Sequence, residues 1–205
     1  MRIAIVGGTG PFGRALAVRL RSAGYEVVLG SRDRGRAGEV AREIGVEGAT
    51  NGEAAESADL VVLATKAEAA LETARELHAA IGTKPVLSVA SELVRTPAGM
   101  TARAGSSIAE DLQSELEGPV AAGLHSLAAS NLGGDEEPDE DALVCGDDAA
   151  AKELALELAE KVTAGRAFDA GPLANARALE GLTAVIVNLN KRYRGHAGLR
   201  VTGLD

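Results

Sequence analysis

The chain has 205 residues, of which 46% are hydrophobic and 25% charged, the composition of a globular protein with a sizeable core. Its net charge of −9 argues against a nucleic-acid partner, because the phosphate backbone would be repelled. No apolar run approaches the ~20 residues of a membrane span, and the lone Cys145 cannot form an internal disulfide, so we expect a cytoplasmic protein without a membrane anchor.

Strand-sized and helix-sized segments alternate through the first half of the chain, which is the pattern of βαβ units around a parallel sheet. We expect strands at residues 3–6, 26–30, 60–65 and 85–90. We expect helices at residues 14–22, 37–44, 51–57 and 67–81. Residues 91–105 contain Thr96-Pro-Ala-Gly99, which predicts a long loop.

The second half continues with further strands and helices. Strands are predicted at residues 119–124, 143–145 and 166–169, and helices at 107–117, 149–164 and 173–193. The last helix places its apolar residues on one face. We therefore predict an α/β fold with a Rossmann-like, doubly wound parallel sheet. Residues 1–118 would form the nucleotide-binding domain and residues 119–205 a small C-terminal lobe.

A glycine-rich turn, Gly8-Thr-Gly-Pro-Phe-Gly13, lies between the first predicted strand and the first helix. In this context a GxGxxG motif indicates a dinucleotide site. Gly8 allows the tight turn, Gly10 lets the backbone approach a pyrophosphate, and Gly13 lets the helix pack close to the strand. The free N–H groups at the start of the helix would face the phosphates.

The end of the second strand indicates which dinucleotide binds. An NAD site places an acid about 20 residues after the turn, on the ribose 2′-hydroxyl. This chain has Ser31-Arg32 there, a hydroxyl and a planar cation that suit the 2′-phosphate of NADP(H). Thr9 can add a second hydroxyl, and arginines at positions 34 and 36 extend a local basic patch in an acidic chain.

Asp33 keeps an alternative open at this stage. If its carboxylate pointed at the ribose instead of Ser31, NAD could compete with NADP. The acidic pair Asp147-Asp148 comes without accompanying ligands at the spacing of a known metal site, so we predict no metal.

Several segments together resemble a known family, the NADPH-dependent reductases of the deazaflavin coenzyme F-420 (F420). The segments, in order, are Gly7-Gly-Thr-Gly-Pro-Phe-Gly13, Gly30-Ser-Arg32, Leu124-His125, Val144-Cys-Gly-Asp-Asp148 and Asp169-Ala-Gly-Pro-Leu173 with Asn175 and Arg177. The resemblance implies reversible hydride transfer between NADP(H) and F420 by a homodimer. It also implies that Thr9, Ser31 and Arg32 hold the 2′-phosphate, and that the C-terminal lobe completes the cleft for the second cofactor.

Within this reading, His125 is the predicted catalytic residue, because it ends a strand at the ligand edge of the sheet. It could hydrogen-bond the polar edge of the deazaflavin or stabilise its developing negative charge. Gly171 and Leu173 would offer backbone donors at a helix N-terminus. The residues predicted to bind cofactor are Gly8, Thr9, Gly10, Pro11, Phe12, Gly13, Ser31, Arg32, Thr65, Lys66, Ser88, Ala90, Gly171 and Leu173.

Two other functions are consistent with the NADP half of the site. One is an NADP-dependent reductase of a small carbonyl or imine, although such enzymes usually build their substrate pocket from a large helical domain. The other is a protein that binds NADP as a sensor without turnover.

Overall fold

The computed structural model describes residues 1–204 and contains an eight-stranded sheet with helices packed on both faces. The strands of this sheet are β1 (Arg2–Val6), β2 (Glu26–Ser31), β3 (Glu47–Thr50), β4 (Leu60–Leu63), β5 (Val86–Ser88), β8 (Val120–Gly123), β9 (Ala142–Gly146) and β10 (Ala167–Asp169). Strands β6 (Leu93–Thr96) and β7 (Gly99–Ala102) form a separate hairpin. The helices are α1 (Pro11–Ser22), α2 (Arg34–Ile44), α3 (Asn51–Ser57), α4 (Ala67–Glu76), α5 (His78–Ile81), α6 (Ile108–Glu115), α7 (Ala129–Leu132), α8 (Ala149–Glu160) and α9 (Ala176–Tyr193).

The order of the strands across the sheet is β10-β9-β8-β5-β4-β1-β2-β3. The six strands from β8 to β3 run parallel, so their carboxyl ends meet at one edge, which we call the ligand edge. Strand β9 runs antiparallel to β8, and β10 runs parallel to β9, so these two strands end at the opposite edge. The arrangement confirms the predicted α/β class and Rossmann-like sheet.

Strand β1 is buried on both faces, as expected for a central parallel strand. Ile3 and Ile5 join the apolar cluster that includes Leu16 of α1, whereas Ala4 and Val6 join the cluster on the other face of the sheet. The strand is therefore held firmly up to the point where the glycine turn begins.

Strand β3 is absent from the sequence prediction. It has only four residues, Glu47–Thr50, and includes a glycine, so it carries little strand propensity. Packing explains the glycine, because a Cβ on Gly48 would lie 2.6 Å from the backbone oxygen of Ala37 in α2. The strand therefore depends on a tertiary contact, and the residue after it, Asn51, begins α3 at the ligand edge.

The predicted loop at residues 91–105 is wrong, because this segment forms the β6–β7 hairpin. Thr96 pairs with Gly99, and Pro97 and Ala98 make the turn. Asn188 of α9 joins the hairpin through its carboxamide, which accepts from Met100 N at 2.8 Å and donates to Met100 O at 2.7 Å. This contact with a distant helix stabilises the second strand of the hairpin.

The end of the chain also differs in detail from expectation. The last helix begins at Ala176 rather than Leu173, after a 3-10 turn over Leu173–Asn175. Strand β8 pairs with β5, with Val86 opposite Val120, so the sheet continues across the expected boundary between residues 118 and 119. The division into two domains there stays a prediction. Within residues 1–204, no helix has both the length and the apolar character to cross a membrane.

Candidate functional site

The glycine turn after β1 is closely packed on itself. Gly7 has a φ of +72°, and the amide of Gly8 donates to Ile5 O at 3.1 Å and to Gly30 O at 3.0 Å. A Cβ on Gly13 would lie 2.6 Å from Gly8 Cα. Any side chain at position 13 would therefore push α1 away from the turn.

Gly10 differs from the other glycines of the turn. It is the N-cap of α1 with an ordinary extended backbone, φ −73° and ψ 166°. A Cβ built on Gly10 would have only Gly7 O nearby, at an ordinary contact distance of 3.7 Å. No protein atom therefore requires a glycine there, and the open space lies over the first turn of α1, where free N–H groups attract anions. This cradle fits a pyrophosphate that approaches the backbone.

At the end of β2, Ser31 is buried and its Oγ accepts from the amide of Asp33 at 3.3 Å. The carboxylate of Asp33 caps helix α2 by accepting from Arg36 N at 3.0 Å. Asp33 lines the same cavity as Ser31 and Arg32, but its Oδ1 is already engaged at the start of α2, which favours the Ser31-Arg32 reading over an acid on the ribose.

The nearby arginines have different surroundings. Arg34 forms an ion pair with Glu53 of α3. Within the described part of the chain, Arg32 and Arg36 form no ion pair, and both line the cavity over the glycine turn. The two free guanidinium groups fit a phosphate, with which arginine forms strong charge-assisted hydrogen bonds.

The cavity over the turn has a volume of about 510 Å³. It brings together eight of the predicted cofactor-binding residues, Thr9, Gly10, Pro11, Phe12, Ser31, Arg32, Thr65 and Lys66. Gly8 and Gly13 belong to the turn but do not line the cavity. The hydroxyl oxygen of Thr65 is buried and has no hydrogen-bond partner among residues 1–204, so a bound ligand could supply one.

Ser88, Ala90 and His125 lie at the ends of β5 and β8, outside the lining of this cavity. Ser88 is fully buried in β5, and its Oγ lacks a partner within the described residues. His125 is buried too, and its Nε2 lies 3.2 Å from Ala90 O. Because a carbonyl oxygen only accepts, Nε2 carries the ring hydrogen and Nδ1 is left as an acceptor.

Burial lowers the pKa of His125 to about 4, so its imidazole is neutral at physiological pH. Its Nδ1 has no partner among residues 1–204. The preceding Leu124 has a φ of 65°, which is uncommon for a branched residue. Thr183 of α9 donates to His125 O at 3.2 Å, so α9 helps to fix the end of β8.

The structure does not bring Gly171 and Leu173 to the ligand edge, because they follow β10, which ends at the opposite edge of the sheet. Their amides also have partners already. Gly171 N donates to Asp169 Oδ1 at 2.7 Å, and Leu173 N donates to Asp147 Oδ1 at 2.9 Å. A cofactor contact for these two residues has no support from their position.

The cavity includes residues that the sequence reading did not assign to cofactor binding, chiefly Gly7, Asn51, Ala64, Ala69 and Thr73. The sequence predicts Asn51 only as part of a short helix, because it gives no signal for strand β3 before it. Its position directly after a parallel strand is the signal that could have identified it. No cluster of three or more potential metal ligands is found in residues 1–204.

Comparison with known proteins shows the family of the chain. Residues 2–92 match the model of a family described as NADP oxidoreductase, coenzyme F420-dependent. The chain is 37% identical to the F420-dependent NADP reductase of Methanothermobacter thermautotrophicus, with 100% of this chain and 96% of the relative covered. The chain belongs to this family.

Two further matches also cover whole chains of this family. The F420-dependent NADP reductase of Methanocaldococcus jannaschii is 32% identical over 100% of both chains. A crystal structure from Arthrobacter sp. FB24, described as a candidate F420-dependent NADP reductase, matches with a TM-score of 0.85 and 26% identity. The match covers 99% of this chain and 100% of that one. These findings confirm the resemblance seen in the sequence.

Proposed function

We propose that this chain is an NADP-dependent oxidoreductase that transfers a hydride reversibly between NADP(H) and coenzyme F420. One structural observation carries the NADP half: Ser31 and the unpaired Arg32 and Arg36 line the cavity, whereas Asp33, which also lines it, is engaged through Oδ1 at the start of α2. Membership of the family of F420-dependent NADP reductases, with relatives matched over the full length of the chain, carries the F420 half.

Different residues would bind different parts of the nucleotide. The first turn of α1 would hold the pyrophosphate with the free N–H groups of Phe12 and Gly13, since Pro11 has no N–H and Gly10 N donates to Gly7 O. Ser31, Arg32 and Arg36 would hold the 2′-phosphate. This anchoring fixes where the other half of the nucleotide leaves the turn along the ligand edge.

The two cofactors supply the carbon atoms that give and receive the hydride, so the protein needs no nucleophile or metal for this step. The role of the protein is to bind and orient the two cofactors and to keep water out of the site. Ala64 and Ala69 give the cavity an apolar wall beside Thr65. Ser88 and His125, which are buried at the ends of β5 and β8, would form the floor beneath the second ring system.

We propose His125 as the side chain that contacts the deazaflavin at this floor. Its Nε2 is used by Ala90 O, and its neutral Nδ1 can accept a hydrogen bond. The low pKa of His125, about 4, argues against a positively charged imidazole that would stabilise negative charge. The proposed role is therefore to orient the ring by accepting a hydrogen bond.

The test is to mix purified protein with NADPH and oxidised F420 and to follow the visible absorbance of the deazaflavin. We expect bleaching that reverses when NADP⁺ is added to the reduced deazaflavin. Tight NADPH binding without bleaching would overturn the proposal and favour a sensor. Loss of NADPH absorbance that requires a small imine or carbonyl, with no bleaching of the deazaflavin, would favour the other reductase reading.

We propose that two copies associate through α9. This helix buries Leu179 and Ile186, but leaves Val185 53% exposed, Leu189 40% and Tyr193 71%. Such an apolar row on one helix is a typical contact surface. Light scattering should give twice the monomer mass, and the paired change of Val185→Lys and Leu189→Lys should reduce it to one copy. A monomeric wild type would contradict this proposal.

Val18→Lys is the control for the dimer test, because Val18 is a similarly exposed valine, 38%, on α1.

We also propose a cytoplasmic location. It is supported by the lone Cys145, which is buried and free, since secreted proteins of this size commonly carry disulfides.

A further inference from the structure

Asn51 is a buried polar residue at the ligand edge whose backbone is rigidly held. It is the first residue of α3 and is only 8% exposed. The helix start is fixed by a capping box, in which Thr50 Oγ1 accepts from Glu53 N and the carboxylate of Glu53 accepts from Thr50 N. The carboxamide of Asn51 therefore projects from a well-defined point.

The side chain of Asn51 connects the ends of two other strands. Its Oδ1 accepts from the amide of Gly7 at 3.2 Å, directly after β1. At the end of β2, Gly30 has no side chain to interfere, and a Cβ there would lie 2.8 Å from Asn51 Oδ1. On the other side of Gly7, a Cβ would meet Thr65 Cγ2 at 2.8 Å. Gly7 is thus held between Asn51 and Thr65.

The hydrogen bond to Gly7 also fixes the orientation of the carboxamide. A backbone N–H only donates, so the oxygen of Asn51 must face Gly7 and the amino group is left as the free end. Asn51 lines the nucleotide cavity, and its Nδ2 makes no hydrogen bond to the protein within residues 1–204. The amino group is a donor available to a ligand.

The register of the sheet places this donor at the adenosine end of the cavity. Thr50 of β3 pairs with Ser31 of β2, so Asn51 follows on next to the Ser31-Arg32 corner. Ser31, Arg32 and Asn51 all line the same cavity and present donors. A phosphate group accepts such hydrogen bonds.

We propose that Asn51 is a specificity-determining residue: Oδ1 positions the glycine turn, and Nδ2 donates to the 2′-phosphate of NADP(H). The inference rests on the proposed function for the identity of the cofactor. It does not depend on hydride transfer to F420.

The test replaces Asn51 with aspartate and measures binding of NADPH and NADH by calorimetry. Asn51→Asp keeps the oxygen for Gly7 but replaces the donor by a negative charge. We expect NADPH affinity to fall about 10- to 100-fold, since a hydrogen bond to a charged group is replaced by repulsion. NADH affinity should change less than about threefold, because NADH lacks the 2′-phosphate.

Asn190→Asp is the matched control. The Oδ1 of Asn190 also accepts a backbone N–H, that of Ala197, but this residue lies outside the cavity. Its substitution adds the same charge and should leave both affinities unchanged. Equal losses of NADPH and NADH in Asn51→Asp, or unchanged NADPH binding, would overturn the proposal.

If Asn51→Asp does not fold, Asn51→Ala decides the question. Removal of both polar atoms should weaken binding of both nucleotides, and of NADPH more strongly. An unchanged ratio of the two dissociation constants in this variant overturns the role of Nδ2. Because F420 is absent from these measurements, a failure of the proposed hydride transfer would appear separately, in the absorbance assay.

Discussion

Substituting Gly10 and Gly13 with alanine separates the two reasons for glycine in the turn. In Gly13→Ala the new Cβ would lie 2.6 Å from Gly8 Cα, 2.8 Å from Gly8 O and 2.9 Å from Gly8 C. Carbon atoms in contact normally lie about 3.5–4.0 Å apart, so the helix and the turn must separate by roughly 1 Å. We expect the free energy of unfolding to fall by about 1–3 kcal/mol, the usual cost of overpacking.

Gly10→Ala should behave in the opposite way. Its Cβ meets only Gly7 O, at 3.7 Å, and the backbone angles suit alanine. Loss of a glycine N-cap should cost the free protein less than about 1 kcal/mol. The methyl group would nevertheless occupy the space proposed for the pyrophosphate. NADPH affinity should therefore fall about 10- to 100-fold, the equivalent of losing one or two hydrogen bonds to a charged group.

The assays are urea unfolding without cofactor and calorimetric titration with NADPH. Gly38→Ala is the matched control, because Gly38 lies in α2 and a Cβ there meets no atom within 4 Å. It should stabilise the protein by about 0.5–1 kcal/mol through helix propensity and leave NADPH affinity unchanged. If Gly10→Ala binds NADPH as tightly as the wild type, the pyrophosphate does not lie against that backbone.

Three further changes test other parts of the molecule. Arg32→Ala should lower the affinity for NADPH about 10- to 100-fold and the affinity for NADH only a little. Arg34→Ala is the control, because its guanidinium is already ion-paired, and it should change both affinities slightly and equally. A comparable loss of both nucleotides in Arg32→Ala would refute the assigned 2′-phosphate contact. Burial raises the pKa of Glu180 to about 7 from 4.5, so the folded state holds its proton longer than the unfolded chain and stability declines as pH rises from about 4.5 to 7. Urea unfolding from pH 5 to 8 should show a decline of about 1–3 kcal/mol in the wild type that is missing in Glu180→Gln; parallel curves would contradict the shift. The carboxylate of Asp141 is fully buried and accepts from Val201 N at 2.7 Å, so Asp141→Ala should cost about 2–4 kcal/mol and expose the C-terminal tail to proteolysis, and resistance of the variant would argue against that anchor.

Much of the fold could be predicted because local patterns and global packing agree in the first half of the chain. Residues 3–6 of the first strand are all apolar, as a strand buried on both faces requires. The glycine turn and Ser31-Arg32 follow their strands directly, so the carboxyl ends of a parallel sheet bring them together. These residue types in this order predict the NADP site.

Features that depend on distant contacts were not predictable in the same way. Strand β3 is short and relies on the packing of α2 against Gly48, and the β6–β7 hairpin is stabilised by Asn188, which lies far away in the chain. The reversal of β9 explains why Gly171 lies away from the ligand edge. A sequence motif predicts only the local structure around it, whereas the direction of a strand depends on its pairing with other strands of the sheet.

Glycine, hydroxyl and guanidinium groups have the same chemistry wherever they are placed, so their order along the chain is enough to predict a nucleotide with a 2′-phosphate at the first helix. The folded structure then selects which of these groups are free to act. It engaged Asp33 with α2 and Arg34 with Glu53, left Arg32 available, and turned Asn51 toward Gly7. Hydrogen-bond partners are set by distances between segments remote in sequence, and those distances exist only after folding.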